Sequence, residues 1–262
     1  MTEAAELTPE MIQSKWSEIA PLIDRMMERI GTSDEFPVQA GSSLSGDDSA
    51  SSPYHASHVL RMCLTAGVDH LHAAKVLVVD QQVLHLAAPS SLARGALENF
   101  AAAYWILGPA KRDERIERAL RWHYKNVSDQ HTALADLAVL KISREAEMAK
   151  IDAVALRRGF DPKPLRSGYT STFIVKYCES ELGDRVPLGV VLPWRICSGL
   201  AHGRPWAYMG VSETMRMELT DGIVLVKLTS SLSMALFPLL ASMYLLQEFL
   251  KLHELRARKH YG

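Results

Sequence analysis

Cysteine is scarce in this chain: Cys63, Cys178 and Cys197 are the only three, and none forms a CxxC pair. An odd count without that spacing argues against a disulfide framework and for a reducing compartment, the cytoplasm. Net charge is almost absent too, with 29 basic against 30 acidic side chains, or −1. A global attraction to nucleic acid is thereby excluded, and any contact with RNA or DNA needs a local basic patch. The N-terminus lacks a basic stretch followed by an apolar run, so no secretory leader is expected. There is no internal repeat, and the Glu-x-x-His pattern of di-iron helical bundles is missing. Charge is also missing from 20 consecutive residues, Leu228 to Gln247, a length sufficient to cross a bilayer. That run opens Thr229-Ser230-Ser231-Leu232-Ser233 and carries Pro238, which reads as a helix buried in a bundle, not a membrane span.

What remains is an ordinary globular composition, 48% hydrophobic and 23% charged over 262 residues, able to bury a core. Its periodicity is helical nearly throughout. Thr8 caps a helix over 8–30 with Pro9 in its first turn, and Gly31 closes it. Residues 31–53, rich in Ser and Gly, read as a flexible or partly ordered loop, not a core element. Helical spacing returns from Tyr54 to about Ala87, and Pro89-Ser90-Ser91 opens a helix to Leu107 so apolar that it is expected at the centre. A long charged helix follows from Lys111 to about Lys150, with further helix to Arg158; His123 and His131 on it are expected at the surface. Gly159 to Pro164 reads as a loop, and Ser171 to Leu182 as a helix ended by Gly183. The only strand signal is a pair of alternating runs around Asp221-Gly222, a hairpin turn dipeptide. The chain finishes with a helix from about Leu232 to Arg258. The expected fold is an all-α helical bundle with one β-hairpin, about 215–228, before the C-terminal helix. The expected organisation is an N-terminal helix and flexible loop over 1–53 and the bundle over 54–262.

One helix carries the chemistry. In Pro193-Trp-Arg-Ile-Cys-Ser-Gly-Leu-Ala-His-Gly-Arg-Pro-Trp206, Pro193 suits a first helical turn and Gly203 a helix end. Arg195 and His202 stand seven residues apart, two turns, so both lie on nearly one line of the surface, with Ser198 beside them. A permanent cation, an imidazole that titrates near neutrality and a hydroxyl share that stripe. Splitting a phosphodiester without a metal needs a proton acceptor, a proton donor and positive charge facing the transition state. Arg195 and His202 supply two of those roles, and a symmetric dimer would bring second copies. A polar seam inside a helical core is the plainer reading of the same stripe.

Arg94 and Glu98, four residues apart in the apolar helix, can pair along one face. With Asn99 they are candidates to border the Arg195/His202 stripe and orient it. Arg204 is a candidate to guide a phosphate backbone; the flanking Trp194 and Trp206 are expected in core packing, with stacking on a base as the alternative. The histidines at 55, 58, 70, 72 and 85 invite a metal reading: His55 and His58, one turn apart, could share an ion, but His70 and His72 point to different faces of a helix, and no metal or cofactor is expected.

Arg-x6-His on a helix late in an α-helical chain resembles the HEPN superfamily, whose signature is Arg-x(4–6)-His. Ser198-Gly-Leu-Ala-His-Gly203 looks like the form found in its bacterial uncharacterised branch, as does Arg94-Gly-Ala-Leu-Glu98-Asn99 followed by Ala103-Tyr-Trp-Ile-Leu107. The residue after the arginine, usually polar in catalytic members, is Ile196 here. The resemblance spans about residues 55–255 and rests on these two motifs. It implies a compact bundle, a homodimer, and a metal-independent endoribonuclease of toxin or antiphage type acting on RNA beside a cognate antitoxin or partner protein. Other members only bind. A non-catalytic module for a nucleotide or protein partner is the alternative.

Overall fold

A computed structural model describes residues 8–32, 35–137, 139–218 and 224–259 of the chain. The fold is an all-α bundle, 73% helical, with a single two-stranded antiparallel hairpin among the described residues. In chain order the helices are α1 (Pro9–Ile30), α2 (Ser43–Ser51), α3 (Ala56–Lys75), α4 (Ala88–Leu107), α5 (Arg112–Ala133), α6 (Arg144–Arg157), α7 (Pro162–Leu165), α8 (Ser171–Leu182), α9 (Val191–Ala201) and α10 (Pro205–Val211). The hairpin strands β1 (Glu213–Glu218) and β2 (Val224–Thr229) follow, then α11 (Leu232–Ala257). The strands pair with Glu213 opposite Thr229 and Glu218 opposite Val224; the Asp221-Gly222 turn lies outside the described residues.

Contacts divide the chain into two units. The first comprises Met1–Glu35, Thr65–Phe100 and Glu179–Leu246, and the second Phe36–Leu64, Ala101–Cys178 and Gln247–Gly262. Helices α3, α4, α8 and α11 contribute to both. By length and composition α11, and α3 with the turn after it, are apolar enough to span a bilayer; 61% of the most apolar window of α11 is buried inside the protein.

In the first unit, Thr8 caps α1 by accepting the Met11 N–H, with Pro9 at the first helical position. Trp16, Ile19 and Ile23 of α1 are buried, as are Val68 and Leu71 of α3, Ala93, Ala96 and Leu97 of α4, Leu200 of α9 and Leu239 of α11. Gly67 serves close packing there: a Cβ on it would come within 2.3 Å of the Phe100 ring. The helix expected to reach Ala87 stops at Asp80. Gln81 bonds back to Val76 in a π-helical turn over Val76–Asp80, and Gln82 takes a positive φ of 55°, ending the run. Lys75, nearly buried, holds that turn through Asp80 at 2.9 Å and Asp24 at 2.8 Å.

In the second unit, Ile116, Leu120 and Tyr124 of α5 pack with Met148, Ile151, Val154 and Ala155 of α6 and Leu165 of α7. The single long helix expected over 111–150 is two helices. Leu134 ends α5, and Ser143 starts α6 by accepting the Ala146 N–H. His131 meets Glu147 of α6 at 2.7 Å, so it is not a free surface residue. Nor is His123, whose ring is mostly buried against Tyr54 and Trp122. Burial, with help from nearby His58, lowers its pKa to about 4.

The Ser/Gly-rich stretch 31–53, expected to be a flexible or partly ordered loop, contains α2. Ser42 caps it through the Ser45 N–H. What seats it lies 68 residues away: fully buried Asp47 forms a bidentate pair with Arg115 at 2.6 and 2.8 Å. Arg115, itself buried, also donates to the carbonyls of Pro109 and Ala110 and to Ser43 Oγ. A distant guanidinium orders a segment whose own composition reads as a loop.

Candidate functional site

The site helix α9 lies in the first unit and has no capping side chain of its own. Glu179 serves instead, with one carboxylate oxygen 2.8 Å from both the Val190 and Val191 N–H groups. The helix opens two residues before Pro193, which still falls within the first turn, where its missing N–H costs no hydrogen bond. At the other end Arg204 N–H bonds to Gly199 O at 2.8 Å and Gly203 N–H to Leu200 O at 3.2 Å. Gly203 has a φ of 65°, which completes a Schellman ending with His202 as the capping residue. The chain then re-enters helix at once. Pro205 starts α10, a helix that the ending expected at Gly203 does not announce.

Gly199 lets α10 close on α9. A Cβ there would stand 2.6 Å from Ala207 Cβ and 2.7 Å from Trp206 Cζ2, so the indole rests on bare backbone. Trp206 is thereby fixed at its root yet stays 56% exposed. Together Trp194, Arg195, Ser198, His202, Arg204 and Trp206 line a cleft of about 350 Å³. Arg195, His202 and Arg204 are exposed, while Ser198 and Trp194 are half-buried. The guanidiniums of Arg195 and Arg204 have no hydrogen-bond or ion-pair partner among the described residues. The lining therefore carries two uncompensated cations and no carboxylate, which suits an anion.

Behind His202 stands a relay from α4. Arg94 Nη1 lies 3.1 Å from His202 Nε2, and Arg94 Nε donates to Glu98 Oε1 at 3.0 Å. The same carboxylate oxygen accepts the Trp194 indole N–H at 2.8 Å. Glu98 thus holds one wall of the cleft and the arginine that touches the imidazole. A guanidinium only donates, so His202 Nε2 is the acceptor, and the ring proton is assigned to Nδ1.

Of the residues singled out from sequence, Arg195, Ser198, His202 and Arg204 share the cleft, and Arg94 and Glu98 reach it through that relay. Asn99 does not: its side chain donates to Gly95 O along its own helix at 2.9 Å. Cys197 is no nucleophile, since burial, opposed weakly by Ser90 and Arg94, pushes its thiol up to about 12. The four-residue spacing pairs Arg94 with Glu98, but nothing local signals the long-range contacts to His202 and Trp194.

Three further basic side chains have structural partners in the second unit. Arg158 pairs with Asp113, Arg166 with Asp152, and Arg157 donates to Ser52 O. The His55 and His58 rings lie 4.9 Å apart, tilted by 32°. Among the described residues, no three His, Cys, Asp or Glu side chains gather as a metal-ligand set.

No family model, curated protein or solved structure matches the chain.

Proposed function

We propose that the chain is a HEPN-like, metal-independent endoribonuclease, with Arg195 and Arg204 binding the scissile phosphate and His202 transferring the proton. The observation that carries this is the cleft itself: an imidazole and two partnerless guanidiniums open to solvent around one space large enough for a phosphate. In the reaction a ribose 2′-hydroxyl attacks its own phosphorus and gives up its proton, while the P–O5′ bond breaks and O5′ takes one up. Guanidiniums facing the phosphorane-like transition state stabilise the charge that develops on its oxygens. One imidazole serves one proton transfer at a time, so a homodimer that brings a second His202 completes the set. Exposed apolar side chains on the same unit, Leu192 of α9, Met209 of α10 and Met215 and Leu225 of the hairpin, support such pairing. RNA as substrate and an antitoxin or partner protein follow from the resemblance of the two motifs, and a cytoplasmic setting from the odd cysteine count.

The test is incubation with an RNA and its all-2′-deoxy counterpart in EDTA. Cleavage of the RNA alone, ending in a 2′,3′-cyclic phosphate and slowed about 10²–10³-fold in Arg195→Ala, is the expected result. An intact RNA removes the nuclease reading.

One observation favours a second reading, a non-catalytic pocket for a nucleotide or protein partner: His202 Nε2 is already satisfied by Arg94. A binding pocket needs the imidazole placed but not free. In that case RNA or nucleotide binds without turnover, and His202→Ala lowers the melting temperature as a structural residue would.

A further inference from the structure

The Arg94–His202 contact has a chemical consequence that neither motif alone reveals. An imidazole acts as a base only through a nitrogen with a free lone pair. In His202 the Nε2 lone pair faces a guanidinium at 3.1 Å, and Nδ1 carries the proton. Neither nitrogen can accept a proton in this arrangement. The acid role is closed as well, because a protonated imidazole would direct an N–H and a positive charge at Arg94. The other charged groups around the imidazole are Glu98 behind Arg94 and Arg195 and Arg204 on the cleft. Glu98 is already shared by Arg94 and Trp194.

We infer that Arg94 is a latch on His202 that an incoming phosphodiester releases. The latch rests on reading the cleft as a phosphate site. With Nε tied to Glu98, the Arg94 side chain pivots about a fixed point, and its Nη2 has no partner among the described residues. A phosphate held by Arg195 and Arg204 offers the guanidinium charged acceptor oxygens, stronger partners than a neutral ring nitrogen. Moving Nη1 from imidazole to phosphate does two things in one step. It adds a third cation to the bound anion and uncovers Nε2 for proton transfer. The empty site stays inert, and the substrate assembles it. Arg94 is in this account a positioning residue for His202 that becomes a phosphate ligand.

The experiment is nitrogen NMR of the His202 ring in the full chain, free and with a nuclease-resistant 2′-O-methyl oligoribonucleotide. The free protein should show the neutral Nδ1–H pattern, the reverse of the Nε2–H form that an unrestrained histidine prefers. Oligonucleotide should move His202 off that pattern, and Arg94→Gln should do so with no ligand present. Arg94→Lys, which keeps the charge and loses the fork, guards against misfolding of the Gln variant and should also release the ring. An Nε2–H pattern in the free protein overturns the latch, as does bound oligonucleotide that leaves the pattern unchanged, or no binding at all. If the ring responds as expected while RNA stays uncut, the latch stands and the ribonuclease reading falls.

Discussion

Replacing Asp47 by alanine should unfold the second unit at a markedly lower temperature, although Asp47 sits in a stretch that reads as a loop. The carboxylate is fully buried, and Arg115 beneath it is 2% exposed. Its removal leaves Arg115 with only the carbonyls of Pro109 and Ala110 and the Ser43 hydroxyl, none of which carries charge. Arg256 worsens the imbalance: burial and repulsion from Arg115 lower its pKa, and Asp47 is the group that offsets them. Breaking a buried pair from one side costs about 3–5 kcal/mol. At roughly 2–4 °C per kcal/mol for a chain of this size, the melting temperature should fall by roughly 6–20 °C. Circular dichroism melts of wild type, Asp47→Ala and the double variant Asp47→Ala/Arg115→Met measure it. The double variant should recover much of the loss, because an apolar replacement of both charges leaves no buried ion unpaired. An Asp47→Ala melt within about 1 °C of wild type would refute the seating of α2 on α5.

Two further outcomes follow from the buried groups. His123 titrates at about 4 when folded, against 6.5 for an exposed imidazole, so the unfolded chain binds the extra proton between those values. Stability is therefore complete above pH 6.5 and is lost as pH falls toward 4, by roughly 3 kcal/mol from this residue. Urea unfolding from pH 7 to pH 4 should show a shallower loss in His123→Gln than in wild type; equal slopes would contradict the burial. Gly199→Ala places a methyl 2.6 Å from Ala207 and 2.7 Å from the Trp206 indole, an overpacking that should cost about 1–3 kcal/mol in a thermal melt. Adding Ala207→Gly should return part of it.

The site helix was legible because its signals are local. Gly203 announces the Schellman ending, and the seven-residue spacing puts Arg195 and His202 on one face regardless of what packs behind them. The same holds for Thr8-Pro9, whose cap forms as read. What escaped the sequence was decided at a distance. Segment 43–51 has little apolar surface and becomes helical on an arginine far along the chain. His123 looks solvated by its charged neighbours, but its own face turns inward against Tyr54. The helix from Tyr54 ends early because Lys75 finds Asp24 and Asp80, a bond no periodicity encodes. Trp206 became a cleft wall only because α10 turns back at Pro205 onto Gly199. Arg94 and Glu98 were visible as a pair and invisible as a relay.

The most direct test of the proposed chemistry is the single-turnover cleavage rate of one labelled RNA, in EDTA, by wild type and His202→Ala side by side. The account predicts cleavage by the wild type and a rate about 10²–10⁴-fold lower in the variant, with both proteins folded. Equal rates, or no cleavage by the wild type, would contradict it.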